Sequence, residues 1–335
     1  MKPSKRAMRT CAWLLLATAS ACSGGAPSSL GSGGGGGGVG AGTGGAGGPG
    51  GQAGTMTLRG PCGIGVQVGR FSAEAQTDFG VVQGAVFEGV VPTSIPRLVS
   101  EQGPCKVWER RNLTCTPACV GATTCGESGT CLPYPRQLSV GNVTITGLTR
   151  PTVMAPRMPG NNYFDPDADN PPFLVGSPVA LTAEGAEGRR SFQLSGRGSA
   201  PLGSKPTWMI EPGKDLKIEW AKSATDQATR VTVELTIDQH GLSPLSLACE
   251  FEDTGLATVP AKIVDQLVTS GVSGFPNGRI FRRTADHVDV EQGCVELFVG
   301  SPLAADVSVA GHVPCKKAAE CPSGKTCNLM LERCE

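Results

Sequence analysis

From residue 66 onward the chain is a succession of short runs in which apolar and polar positions alternate or β-branched residues cluster. Such runs lie at 66–71, 80–87, 139–146, 178–182, 191–194, 216–220 and 230–237. Two of them show the period most cleanly. Leu216, Ile218 and Trp220 share one face, as do Val231, Val233, Leu235 and Ile237. A period of two puts successive side chains on opposite sides of a strand, so each run has one face to bury. Glycine, proline and Asn/Asp clusters separate the runs, which is the punctuation of a β-sandwich or barrel. Residues 258–271 break the pattern. Ile263, Val264, Leu267 and Val268 fall on one helical side, behind Thr258 as N-cap and Pro260 near the first helical position. One short helix packed on the sandwich is predicted there.

Composition changes this picture most at the N-terminus. Of the 48 glycines in 335 residues, 18 fall within 24–54. Ahead of them, Lys2, Lys5, Arg6 and Arg9 form a basic region, and Ala12–Ala17 is a short apolar one. A helix needs about 20 apolar residues to cross roughly 30 Å of hydrocarbon. Residues 1–21 therefore read as a cleaved signal peptide. The signal ends Ala19-Ser20-Ala21-Cys22, which resembles a bacterial lipobox with Ala19 where leucine is usual. The resemblance implies that Cys22 is the lipid-modified N-terminus of the mature chain and that the membrane is its partner through that anchor. Ser23 in the next position favours the outer membrane. Residues 22–55 cannot bury enough apolar surface to offset their ordering entropy, so they form a disordered tether. As a flexible coil it reaches roughly 30 Å. Basic and acidic side chains number 29 each. Loss of four cations with the signal leaves the mature chain mildly acidic, and no nucleic-acid partner is expected.

Export places the cysteines in an oxidising compartment. Cys11 leaves with the signal and Cys22 takes lipid, so twelve remain: Cys62, Cys105, Cys115, Cys119, Cys125, Cys131, Cys249, Cys294, Cys315, Cys321, Cys327 and Cys334. That even number predicts six disulfides. Cys115–Cys131 and Cys315–Cys334 have related spacing, and CVGATTC and CPSGKTC share length, an internal glycine and a Thr before the last cysteine. They read as two copies of a module too small for an apolar core, stapled by crosslinks instead. Cys249 and Cys294 both sit in strand-like runs, so a bridge between them is the simple expectation. Cys62 and Cys105 bond each other or reach into the first cluster.

The expected fold is thus mainly β, a β-sandwich-like domain or domains with two small disulfide-stapled modules and one short helix. Its divisions are a signal at 1–21, a tether at 22–55, an N-terminal β segment at 56–110, a cysteine-rich module at 111–135, the sandwich at 136–310 and a second module at 311–335.

Chemistry is sparse. Asp165, Asp167 and Asp169 alternate along one loop, as carboxylates that converge on calcium do. However, Asn170 stands where an EF-hand loop needs glycine and Gly176 where it needs a bidentate glutamate. A solvated acidic turn is the simpler expectation, and no cofactor is expected beyond that weak calcium candidate. Neither G-x-S-x-G nor H-E-x-x-H occurs. A hydrolase built from dispersed residues would have to draw on His240, His287 or His312, the chain's three histidines. Trp220 belongs to a core face, whereas Trp208 follows a turn and is a candidate stacking platform for a glycan.

The order of these pieces resembles a group of surface lipoproteins of the myxobacterial type. The likeness runs from the lipobox and tether through CTPACVGATTCGESGTCLPYP at 115–135, GSPVALTAEG at 176–185 and DLKIEW at 215–220 to CEFEDTG and TVPAKIVDQL within 249–267. It implies a cell-envelope location and β architecture, and supplies no reaction. The expected function is non-enzymatic surface display or binding, with a glycan or protein ligand. The alternatives are a secreted hydrolase with a dispersed site and a purely structural envelope protein. The cluster at 315–334 departs from that pattern.

Overall fold

The computed structural model describes residues 57–91, 95–223, 229–240 and 245–335. The signal, Cys22 and the whole tether at 22–55 lie outside them. In chain order the first strands are β1 (Gln67–Ala75), β2 (Gly80–Val86), β3 (Arg97–Gln102) and β4 (Cys105–Glu109). β5 (Thr123–Cys125) and β6 (Cys131–Pro133) close the first cysteine cluster. There follow β7 (Val143–Thr146), β8 (Thr152–Met154), β9 (Tyr163–Asp165), β10 (Pro178–Ala183), β11 (Phe192–Arg197) and β12 (Thr207–Ile210). Next are β13 (Leu216–Glu219), β14 (Arg230–Thr236), β15 (Leu245–Glu252), β16 (Leu256–Val259) and helix α1 (Ala261–Ser270). A long hairpin of β17 (Asn277–Val290) and β18 (Gly293–Val309) then leads to β19 (Cys327–Asn328) and β20 (Arg333–Cys334).

The hairpin organises everything else. Its register runs from Asn277 opposite Asp306 to Val290 opposite Gly293, and each half serves a different core. Along the half nearer the turn, β1 pairs parallel with β18, and β2 and β9 extend the sheet outward. A second sheet, in the order β11-β10-β7-β8, packs on that half. Phe71, Ile145, Leu181, Leu194, Leu297 and Val299 are buried between the two. Along the other half, β14, β15, β4 and β3 build out from β17, and β12 pairs parallel with β18. The strand pair β13–β16 and α1 cover that half, and Val233, Leu235, Ile218, Val259, Val264 and Ile280 fill its core. The protein is therefore two β-sandwiches fused through one shared hairpin, an upper one on the half nearer the turn and a lower one on the other half. The β-sandwich class holds, and residues 67–109 contribute four strands to the same ten-stranded sheet as the hairpin.

Two local expectations need correction. Pro260, and not Thr258, is the N-cap residue of α1, and it has no side-chain cap of its own. Thr258 lies in β16 opposite Lys217. The orphan donor is satisfied from another element, because Asp215 Oδ1 accepts the Ala261 N–H at 2.7 Å. An acceptor at a helix N-terminus does the same work whether it comes from the cap position or from a distant residue.

The second correction concerns the cysteines. Cys249 does not bond Cys294: the pairs are Cys62–Cys294 and Cys105–Cys249. β14 and β17 lie between β15 and β18 in the sheet. Three strand spacings of about 4.8 Å separate those two cysteines by roughly 14 Å, far beyond the reach of a disulfide. Cys105 instead stands directly opposite Cys249 across β4 and β15, with Cα atoms 4.0 Å apart.

Candidate functional site

The side chains of β17 alternate, but the alternation carries charge into the interior. Ile280, Arg282, Thr284 and Asp286 alternate along one face of β17 and all four are buried. Arg282 reaches the 200–201 segment that links β11 to β12. Arg282 is 1% exposed and its partner Asp253 4%. Its Nε donates to Asp253 Oδ2 at 2.7 Å and its Nη2 to Oδ1 at 3.0 Å. Nη1 donates to the carbonyls of Ala200 and Pro201 at 3.0 and 2.6 Å, and Nη2 also reaches the Ala221 carbonyl. Asp253 further accepts the indole N–H of Trp220 at 2.7 Å. A buried ion pair survives only when its remaining donors and acceptors are satisfied, and here they are.

Asp286 and Thr284 perform a related task at the edge of the second sheet. β11 ends that sheet, leaving outward N–H groups that another strand would otherwise find. Asp286 Oδ2 accepts the Ser195 N–H and Thr284 Oγ accepts the Arg197 N–H, each at 2.9 Å. Asp286 also takes three bonds from Arg59, one main-chain and two guanidinium. Burial pulls the Asp286 carboxyl upward, but these bonds outweigh it and hold the group below the ordinary carboxylate value. Beside it, Glu296 accepts from the Cys62 N–H, Gln67 and Arg70. The segment Arg59–Cys62, close to the start of the described residues, is thus held by two buried carboxylates and the Cys62–Cys294 disulfide. Sequence reasoning missed this set. The signal available was a run of charges, Arg282, Arg283 and Asp286, inside an otherwise strand-like stretch.

Other candidates resolve individually. Asp165 is buried in β9, whereas Asp167 and Asp169 are exposed. The Asp165 carboxylate is engaged by Arg150, Thr152 Oγ at 2.7 Å and the Asp167 N–H at 3.0 Å. Burial opposes its charge, yet those bonds keep its carboxyl below the usual value. The three aspartates therefore do not converge: the first is turned inward to an arginine. Trp208 is no platform. It is 2% exposed in the lower core and packs so closely that a Cβ on Gly278 would meet its ring at 2.3 Å.

The histidines are engaged at three places. His287 Nδ1 donates to the Gly60 carbonyl at 2.9 Å, His312 Nε2 to the Gly274 carbonyl at 2.8 Å, and His240 Nε2 lies 3.1 Å from Glu332. Ser273 comes near His240, but its hydroxyl donates to Asp238 and accepts the main-chain N–H groups of Gln239 and His240. That is a turn clasp, not a nucleophile facing an imidazole.

The two cysteine modules share one design. The first cluster bonds Cys115–Cys125 and Cys119–Cys131, and the second Cys315–Cys327 and Cys321–Cys334. First bonds third and second bonds fourth in both. In each, the third and fourth cysteines also face one another across a two-stranded hairpin. Cysteine groups close enough to hold a metal recur in these modules, and His287 and Asp289 approach Cys294. The sulfurs are spent on disulfides, so they are not the thiolate donors a zinc site needs.

No protein-family model matches the chain, and no curated protein does. Among solved structures there is a weak likeness to the crystal structure of the chicken CNTN1 FN1-FN3 domains. It has 7% identity over 67% of this chain and 70% of that one, with a TM-score of 0.16. The strands define a β-sandwich protein, and its six disulfides are those of an exported protein in an oxidising compartment. No helix among the described residues is long and apolar enough to cross a membrane.

Proposed function

We propose that this chain is a cell-envelope lipoprotein, anchored through Cys22 and carrying a non-enzymatic binding or display body on its glycine tether. The observation that carries the reading is the pairing of all twelve cysteines from Cys62 to Cys334 in six disulfides. Such crosslinks persist in exported proteins and are rare where thiols are kept reduced. The signal-like N-terminus and its lipobox-like ending add the anchor, with the outer membrane as the expected site. The engaged histidines favour binding over hydrolysis, and the ligand class is a glycan or a protein.

Globomycin blocks maturation of lipoproteins, so treated cells should accumulate the precursor. Normal processing in its presence, with cleavage elsewhere, overturns the anchor. No turnover is expected across ester, glycoside and peptide substrates, and activity lost in His240→Ala or His287→Ala would overturn the non-enzymatic part.

A further inference from the structure

The upper sandwich is open at the end where the tether enters. There the hairpin turn at 288–292 and the loop at 188–191 stand apart, and a cavity of about 500 Å³ lies between them. That volume is in the range of small-molecule sites. Its inner wall is apolar, formed by Val140, Phe192, Val290 and Val295, and it continues into the buried core of the upper sandwich. Its mouth is charged with opposite signs on opposite rims. Arg190 stands on one side, and Asp289 and Glu291 on the other. Neighbouring Arg189 is committed, through Nε to the Ser139 carbonyl and through Nη2 to Glu187. Arg190 and Glu291 are exposed and have no charged partner among the described residues. The Arg59 guanidinium, held above its ordinary value first by its hydrogen bond to Asp286, also feels the charge of Asp289.

We propose that this cavity binds a single-chain zwitterionic amphiphile of the lysophospholipid class. The apolar wall takes the acyl chain, Arg190 takes the phosphate and Glu291 the ammonium group. Each part follows from a different feature. An apolar wall alone would accept any hydrocarbon, and a rim of one sign would select an anion or a cation. Separated charges of both signs around an apolar shaft complement a head group that carries both. A guanidinium is well suited to phosphate, offering paired donors in a plane. The volume accommodates one chain rather than two. The site is independent of the proposed anchor, since it is built wholly from residues downstream of the tether.

The test uses the full chain with Cys22→Ser, so that no acyl group of its own competes and a failure of the anchor reading leaves the result intact. The probe is dodecylphosphocholine below its micelle concentration, followed by titration calorimetry, with dodecyl sulfate and dodecyltrimethylammonium as singly charged comparators. One saturable site per chain is expected, at least ten-fold tighter for the zwitterion than for either comparator. Arg190→Glu should erase the preference over dodecyltrimethylammonium. Val290→Trp, which fills the mouth, should weaken all three ligands at least ten-fold while the melting temperature stays near that of the parent. Absence of saturable binding overturns the proposal. So does equal affinity for the three probes, or unchanged binding in a folded Val290→Trp.

Discussion

Replacing Arg282 with methionine is the sharpest probe of how the two sandwiches are joined. The substitution keeps an unbranched apolar stem and removes only the guanidinium. It strands the Asp253 carboxylate, 4% exposed, which among the described residues keeps Trp220 Nε1 at 2.7 Å and Thr229 Oγ at 3.4 Å as side-chain donors. It also deprives the carbonyls of Ala200, Pro201 and Ala221 of a donor. Breaking a buried pair in this way costs about 3–5 kcal/mol, because an uncompensated charge stays behind. At about 2–4 °C per kcal/mol for a domain of this size, a loss of 4 kcal/mol lowers the melting temperature by about 8–16 °C. Equilibrium urea denaturation of the oxidised protein, followed by tryptophan fluorescence and by far-ultraviolet circular dichroism, measures it. The double variant Arg282→Met with Asp253→Leu removes the orphaned charge and should regain much of the loss. A loss below about 1 kcal/mol in the single variant, or a double variant no more stable than the single, would refute the reasoning.

Asp286 makes stability depend on pH in a defined direction. Its folded-state value lies below the unfolded one, so its contribution is complete above roughly pH 4 and drains away as pH falls through the depressed folded value. Between pH 6 and pH 3 the urea midpoint of the parent should therefore fall more steeply than that of Asp286→Asn; parallel curves would remove the carboxylate from the account. At the Asp165–Asp169 loop the expectation is an unchanged melting temperature between EDTA and millimolar calcium, because Arg150 already neutralises Asp165. A rise of several degrees with calcium, lost in Asp167→Ala, would reverse it.

What could be read from the chain was whatever depends on neighbours in sequence. Val231, Val233 and Leu235 announce a buried strand face by themselves, and the two CxxxxxC segments announce a repeated staple. What escaped depends on neighbours in space. Residues 277–290 form one of the longest strands, yet Arg282, Arg283 and Asp286 mask its alternation, since each finds its partner elsewhere in the fold. The partner of Cys249 could not be read because strand order in a sheet is not strand order in the chain: β4 lies beside β15, and β18 does not. Trp208 looked available after its turn, and only the close approach of Gly278 shows that it is enclosed. The cap of α1 is supplied by Asp215 from 46 residues away, a distance that no capping pattern spans.

The Cys62–Cys294 bond spans a sequence separation of 232 residues, which sets the protein's response to being pulled. Tension on the chain ahead of Cys62 enters β18 at Cys294 through a covalent link, without passing through any hydrogen bond in series. From there the backbone of β18 carries it to Cys315 and the second module. Every residue between 63 and 293 lies on a closed loop outside that load path. If either sandwich opened under force, the distance from Cys62 to the C-terminal module would grow only by the straightening of the short backbone stretch between Cys294 and Cys315. The length at which the module is held is thus insulated from the unfolding of the body that carries it.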